Sequence, residues 1–181
     1  MQIDRQPGSP NRLEAPLKSR IYAFMLDYLI IVIYGIFVVG TIFFMFRPFV
    51  TPLFSNSPVI AELSGFIMIT LPVSLYFILF ECSGWKGTWG KKKMGILVVN
   101  NNNQRIGPVR STIRTAIKFL PWEIAHFCIW RFMLPSGLSE PTVITILVAV
   151  NFAIVLYLLV PLTNKPRKNV YDWIAGTKVV Q

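Results

Sequence analysis

Residues 21–46 read IYAFMLDYLIIVIYGIFVVGTIFFMF. The run is long enough to cross a bilayer, because about 20 predominantly apolar residues span the hydrocarbon core. One member does not fit: Asp27 sits roughly two helical turns inside it. An ionised carboxylate at the centre of a lipid-facing helix costs about 2.5–3.5 kcal/mol on the insertion scale, so the rest of the chain has to shield this one. Arg20 lies seven positions earlier, close to two turns of an α-helix, and the two side chains point to nearly the same face. At about 1.5 Å of rise per residue they are too far apart to pair unless the arginine bends inward. The partner of Asp27 is therefore to be sought on another helix or in trapped water.

The composition agrees with a membrane setting. Hydrophobic residues make up 54% of the 181 positions, charged residues only 14%, and the mean hydropathy is +0.55. Soluble domains average about 25% charged residues. Lys+Arg 18 against Asp+Glu 8 gives a net charge of +10. That excess fits basic loops beside anionic headgroups, and nucleic-acid binding is not expected because no groove-reading or RNA-binding motif is present. Cys82 and Cys128 have no paired spacing and read as small buried thiols. The polar stretch before the first apolar run, and the length of that run, do not match a cleavable signal, so the first helix is expected to remain as an anchor.

Working outward, residues 1–17 hold Pro7, Pro10 and Pro16 without apolar periodicity and predict a flexible cytoplasmic tail. Residues 18–181 then form one membrane domain. Its first helix should stop before Pro48, with Pro52 and Pro58 stiffening the loop. The second span is expected at 63–81, kinked at Pro72 and closed by Glu81; the kink reads as a packing feature rather than a hinge. Trp85 and Trp89 suit a membrane interface. Residues 84–95, GWKGTWGKKKMG, lack the spacing and the Ser or Thr of a phosphate-binding loop; the lysines suit anionic headgroups instead. Ile96 to Val99, the asparagine run and Arg105–Ile106 predict a β-hairpin, with Thr177 to Val180 as a candidate third strand.

Arg110, Arg114 and Lys118 recur every four residues and predict an amphipathic interfacial helix ending at Pro121. The stretch 119–134 is short and interrupted by Glu123, His126 and Arg131, whereas 142–162 is a good span with Asn151 near its centre. The basic N-terminus, middle loop and C-terminal tail should all be cytoplasmic, and four spans (21–46, 63–81, 119–134, 142–162) satisfy this while three do not. The expected fold is an all-α integral membrane protein with four transmembrane helices, an amphipathic interfacial helix and a small cytoplasmic β-hairpin or three-stranded sheet. Both termini should face the cytoplasm at the cell (inner) membrane.

Several short patterns recur in one order: Arg20-x-x-Ala23-x-x-x-Asp27, Glu81, Thr88-x-Gly90-Lys91-x-x-x-Gly95 followed by Val98-Val99, Arg114, and Asp172-x-x-Ala175-Gly176-Thr177. In these the sequence resembles the RDD family of bacterial and archaeal membrane proteins, named for an arginine and two aspartates. The resemblance covers nearly the whole chain beyond the tail. It departs at Asn100, where relatives often carry Asp, and at Tyr171, where many have His. It implies a transporter, with sodium–proton antiport suggested for some members, and no catalytic residue to carry over.

An ion or proton carrier needs a membrane-embedded acid that alternates between states, and Asp27 is the candidate. Asn151 could offer an amide oxygen to a cation, and Glu123, His126 and Arg131 a relay. The candidate transport or family-motif residues are thus Arg20, Asp27, Glu81, Arg114, Asn151 and Asp172. Glu123-x-x-His126 is only half of a di-iron signature, so no metal or cofactor is expected, and no nucleophile–base pair argues for an enzyme. The expected partners are anionic lipid headgroups, monovalent cations or protons, and a homo-oligomer or another membrane protein. The alternative function is a non-transporting scaffold or regulatory partner, in which Asp27 fixes packing while Arg20 and Asp172 tie the cytoplasmic layer to the helices.

Overall fold

The computed structural model describes residues 13–165 and 167–181, so most of the expected tail lies outside the described residues. Helix α1, Leu17–Met45, ends before Pro48 as its sequence predicts. It is α-helical to Tyr34, takes a π-helical turn over Gly35–Val39, and resumes over Gly40–Met45. After two short helical turns, α2 runs Pro58–Cys82, starting earlier than the expected residue 63 because Pro58 fits the first helical turn. It too carries a π-helical segment, Phe66–Thr70, which touches that of α1. Short helix α3 (Trp89–Lys93), strand β1 (Leu97–Asn100), helices α4 (Pro108–Met133), α5 (Glu140–Thr163) and α6 (Val170–Ile174), and strand β2 (Thr177–Val180) complete the chain.

Among the described residues, α1, α2 and α5 are long and apolar enough to cross a membrane. Their outward faces carry exposed large apolar side chains such as Phe37, Phe44, Val148 and Leu158, a surface suited to lipid. The expected amphipathic helix and the expected third span are one uninterrupted helix, α4, which runs through Pro121 instead of breaking there. It packs against both α2 and α5, whereas α1 is held mainly by α3.

A proline inside a helix leaves the carbonyl four residues earlier without its usual N–H partner. Each of the three mid-helix prolines has that carbonyl answered from another element. The Tyr34 hydroxyl donates to Met68 O at 2.7 Å below Pro72, the Tyr157 hydroxyl to Ile117 O at 3.2 Å below Pro121, and Asn169 Nδ2 to Tyr157 O at 2.7 Å below Pro161. An unanswered carbonyl is costly away from water, so these bonds let the helices continue.

The sheet differs from the expected hairpin. β1 pairs antiparallel with the distant β2, Leu97 opposite Val180 and Asn100 opposite Thr177. The predicted return strand makes a single bridge, Val99 with Arg105, and Glu14 adds another to Val180. The asparagine turn does form: Asn100 Oδ1 accepts from the N–H groups of Asn102 and Gln104, and Asn103 takes a left-handed φ of 63°. The buried core sits here, at the sheet end of the helices, around Ala15, Ala23, Ile96, Val98, Ile106 and Val179.

Candidate functional site

Asp27 is buried on α1 and makes no ion pair among the described residues. Neutral donors surround it instead. Tyr76 Oη and the Gly90 N–H both donate to Oδ1 at 2.9 Å, and Thr88 Oγ1 donates to Oδ2 at 2.5 Å. The Trp89 N–H donates in turn to Tyr76 Oη at 3.0 Å. Asp27 thereby serves as a capping carboxylate for α3, delivered from a different helix. Arg20 bends the other way: its guanidinium donates to Ala15 O at 3.2 Å, to Val179 O at 3.1 Å and to Arg167 O, tying α1 to the sheet and the C-terminal segment.

A second network lies beside the first. Lys91 pairs with Glu81, whose other oxygen accepts from Arg114 Nε at 2.9 Å. Arg114 Nη1 pairs with Asp172 and donates to Thr177 Oγ1 at 2.8 Å, and the Thr177 hydroxyl donates to Asp172 at 3.0 Å. Asp172 Oδ2 also accepts from the Asn169 N–H at 3.0 Å, closing a capping box on α6. Four helices and a strand meet in this chain of charges. Burial would by itself lower the Arg114 pKa, but the Asp172 and Glu81 carboxylates outweigh it and hold the guanidinium above its ordinary value. Burial and Asp172 push the Tyr171 phenol, which stacks under Arg114 at 4.8 Å, up to about 12.

A chamber of about 90 Å³ opens between the networks, where Arg20, Asp27, Lys91, Arg114, Lys118 and Tyr171 meet apolar walls from Phe24, Phe77, Ile96 and Val179. Five of the six candidate residues, Arg20, Asp27, Glu81, Arg114 and Asp172, thus gather at the sheet end. Asn151 does not join them: it is exposed on α5, and its amide donates to Leu147 O of its own helix at 2.8 Å. Nor do Glu123, His126 and Arg131 form one relay. Glu123 Oε1 accepts from Thr70 at 2.6 Å and lies 3.7 Å from His126 Nδ1, while Arg131 turns to Glu62 of α2 at 2.8 Å. No three His, Cys, Asp or Glu side chains converge among the described residues.

Sequence reasoning missed Tyr76 and underread Lys118. Tyr76 sits in an apolar run where a hydroxyl looks incidental, and its tie to Asp27 spans 49 positions. Lys118 reads as the last member of an exposed basic stripe, yet it points into the chamber with its ammonium 3.3 Å from the centre of the Phe77 ring.

Three helices long and apolar enough to cross a membrane, with a buried aspartate held by three donors and a buried charge chain at one end, fit a multi-pass membrane protein. The chain belongs to the RDD family, whose pattern matches residues 14–176. No curated protein and no solved structure matches it.

Proposed function

We propose that the protein exchanges protons for a monovalent cation across the cell membrane, with the alternating acid at Glu123 rather than at Asp27. The observation that carries this reading is the Glu123–His126 pair: Glu123 Oε1 accepts from Thr70 Oγ1 at 2.6 Å and lies 3.7 Å from His126 Nδ1, on a helix packed between apolar spans. Ionisable side chains at membrane depth mark ion or proton pathways by default. Asp27 suits that role less, since three fixed donors already hold its carboxylate.

The topology that goes with this reading has four spans, residues 119–134 being the third, and the sheet end in the cytoplasm. Support comes from strand pairing. Ala15 N–H donates to Val179 O, and β1 pairs with β2, so the segments before α1, between α2 and α4, and after α5 lie on one side. With α5 read as a span, a crossing α4 is the arrangement compatible with joining the chain in that way. Lys91, Lys92, Lys93, Arg110, Arg167 and Lys178 near this end agree with a cytoplasmic face.

Proteoliposomes holding the protein alone should dissipate a proton gradient on addition of Na⁺, K⁺ or Li⁺. Glu123→Gln should abolish this and Asp27→Asn should retain it; a wild-type protein that never dissipates the gradient overturns the exchanger. A reporter fused after Gln181 that proves external would overturn the topology. The second reading, a non-transporting scaffold, is favoured by the saturated charge chain, and it predicts a stoichiometric membrane-protein partner on copurification.

A further inference from the structure

Beside this chamber, a groove of about 550 Å³ lies between α1 and α5 with α4 as its floor, and Ile21, Phe24, Phe119, Trp122 and Leu158 are among its walls. It is bounded by lipid-facing helices and reaches Arg20 and Lys118, which also line the chamber. The two cavities therefore meet at a pair of cations. The charge balance there is uneven. Arg20, Lys91, Arg114 and Lys118 face Asp27, Glu81 and Asp172, and each carboxylate is already engaged by other partners. Among the described residues, Lys118 has no carboxylate within 4.0 Å and donates no hydrogen bond, leaving an ammonium with three donors resting on aromatic rings.

We propose that an anionic phospholipid occupies this groove, its acyl chain along the apolar walls between α1 and α5 and its phosphate against Lys118 and Arg20. An apolar slot ending at an unpaired cation is the complement of one lipid chain ending at one phosphate. Basic pockets between membrane helices recognise anionic headgroups in this way, at about 1 kcal/mol for each basic residue near the surface. A zwitterionic lipid would fill the walls equally well but would bring its own cation to a site that already has an excess. The inference does not depend on ion exchange and is tested without it.

Full-length protein, purified in detergent and delipidated, is titrated with phosphatidylglycerol, phosphatidylcholine or inorganic phosphate. Bound lipid is read by native mass spectrometry and thermal stability by a melting curve. Phosphatidylglycerol should bind and raise the melting temperature, with phosphatidylcholine clearly weaker and phosphate without effect at equal concentration. Lys118→Met should weaken phosphatidylglycerol binding about fivefold while leaving phosphatidylcholine unchanged. Leu158→Trp, which fills the groove from the lipid-facing side, should reduce both and serves if Lys118→Met does not fold. Equal effects of the two lipids, full phosphatidylglycerol binding by Lys118→Met, an equal effect of phosphate alone, or a lipid-independent dimer closing the groove would each overturn the proposal.

Discussion

The Gly90 N–H donates to the Asp27 carboxylate at 2.9 Å, and the two residues approach so closely that a Cβ on Gly90 would lie 2.8 Å from Oδ1 and 2.3 Å from Ala23 O. The pattern Arg-x-x-Ala-x-x-x-Asp thus has a geometric meaning: Ala23 and Asp27 present one flat turn of α1, and only glycine lets α3 settle on it. Gly90→Ala should force α3 away, break the bonds from Gly90 and Thr88, and cost about 2–3 kcal/mol. Gly84→Ala, whose Cβ meets nothing within 4 Å, should stay within about 0.5 kcal/mol of wild type. Melting curves of the purified variants decide this, and equal losses would refute the close-packing account.

The same carboxylate separates shape from charge. An asparagine at position 27 keeps one oxygen for Tyr76 and Gly90, and the Thr88 hydroxyl can rotate to accept from the new amide. Asp27→Asn should therefore be accumulated in membranes at near wild-type levels, whereas Asp27→Ala should be poorly accumulated. Immunodetection of membrane fractions distinguishes them, and equal depletion of both variants would show that the negative charge itself is required.

Arg114 joins two buried carboxylates: Glu81, which keeps Lys91 as a second partner, and Asp172, which has no other cation within 4.0 Å among the described residues. Removing one partner of a buried ion pair costs about 3–5 kcal/mol, far more than the pair contributes relative to an apolar replacement. Arg114→Ala should accordingly unfold the sheet end. Arg114→Lys should not restore it, since a single ammonium cannot reach Glu81 through one nitrogen and Asp172 and Thr177 through another. Limited proteolysis before Thr177 measures this, and a protease-resistant lysine variant would count against the bridging role.

Local patterns in the chain were informative and distant ones were not. The apolar runs locate α1, α2 and α5 because hydrocarbon thickness sets their length. The donors to Asp27 lie 49 to 63 positions away, with no periodicity to betray them. Asn151 misleads because an asparagine on a lipid-facing helix can satisfy its amide on its own backbone, leaving the appearance of a ligand without its geometry. The hairpin fails for a related reason: the asparagine turn forms, but β1 gains more pairing from β2 than from the short stretch that follows the turn. Pro121 reads as a helix stop because its remedy, the Tyr157 hydroxyl, arrives from α5.

That remedy is testable as a coupling. Tyr34→Phe should cost about 1 kcal/mol, the value of a hydrogen bond to an otherwise unanswered carbonyl at membrane depth. In a Pro72→Ala background, residue 72 regains an N–H that can reach Met68 O, and the same substitution should then cost close to nothing. Tyr157→Phe and Pro121→Ala should behave alike. Double-mutant cycles from unfolding in denaturing detergent give the interaction energy, and a cost for Tyr34→Phe that is unchanged by Pro72→Ala would refute the compensation.

Lys118, just before the third expected span, gives a pH signature. Burial, and then the neighbouring charge of Lys91, lower its ammonium to about 7 from 10.5, against the opposing pull of Glu81; Arg114 adds to the lowering and Asp27 opposes it. A base with a depressed folded pKa binds fewer protons when folded than when unfolded between those two values, so stability rises with pH across that interval. Delipidated protein should melt at a higher temperature at pH 9 than at pH 7, and Lys118→Met should show a smaller rise. A bound anionic headgroup would restore the ammonium and flatten the slope, so phosphatidylglycerol should bring wild type toward the behaviour of the variant. Parallel slopes for wild type and Lys118→Met in the delipidated state would mean that Lys118 titrates as an ordinary surface lysine.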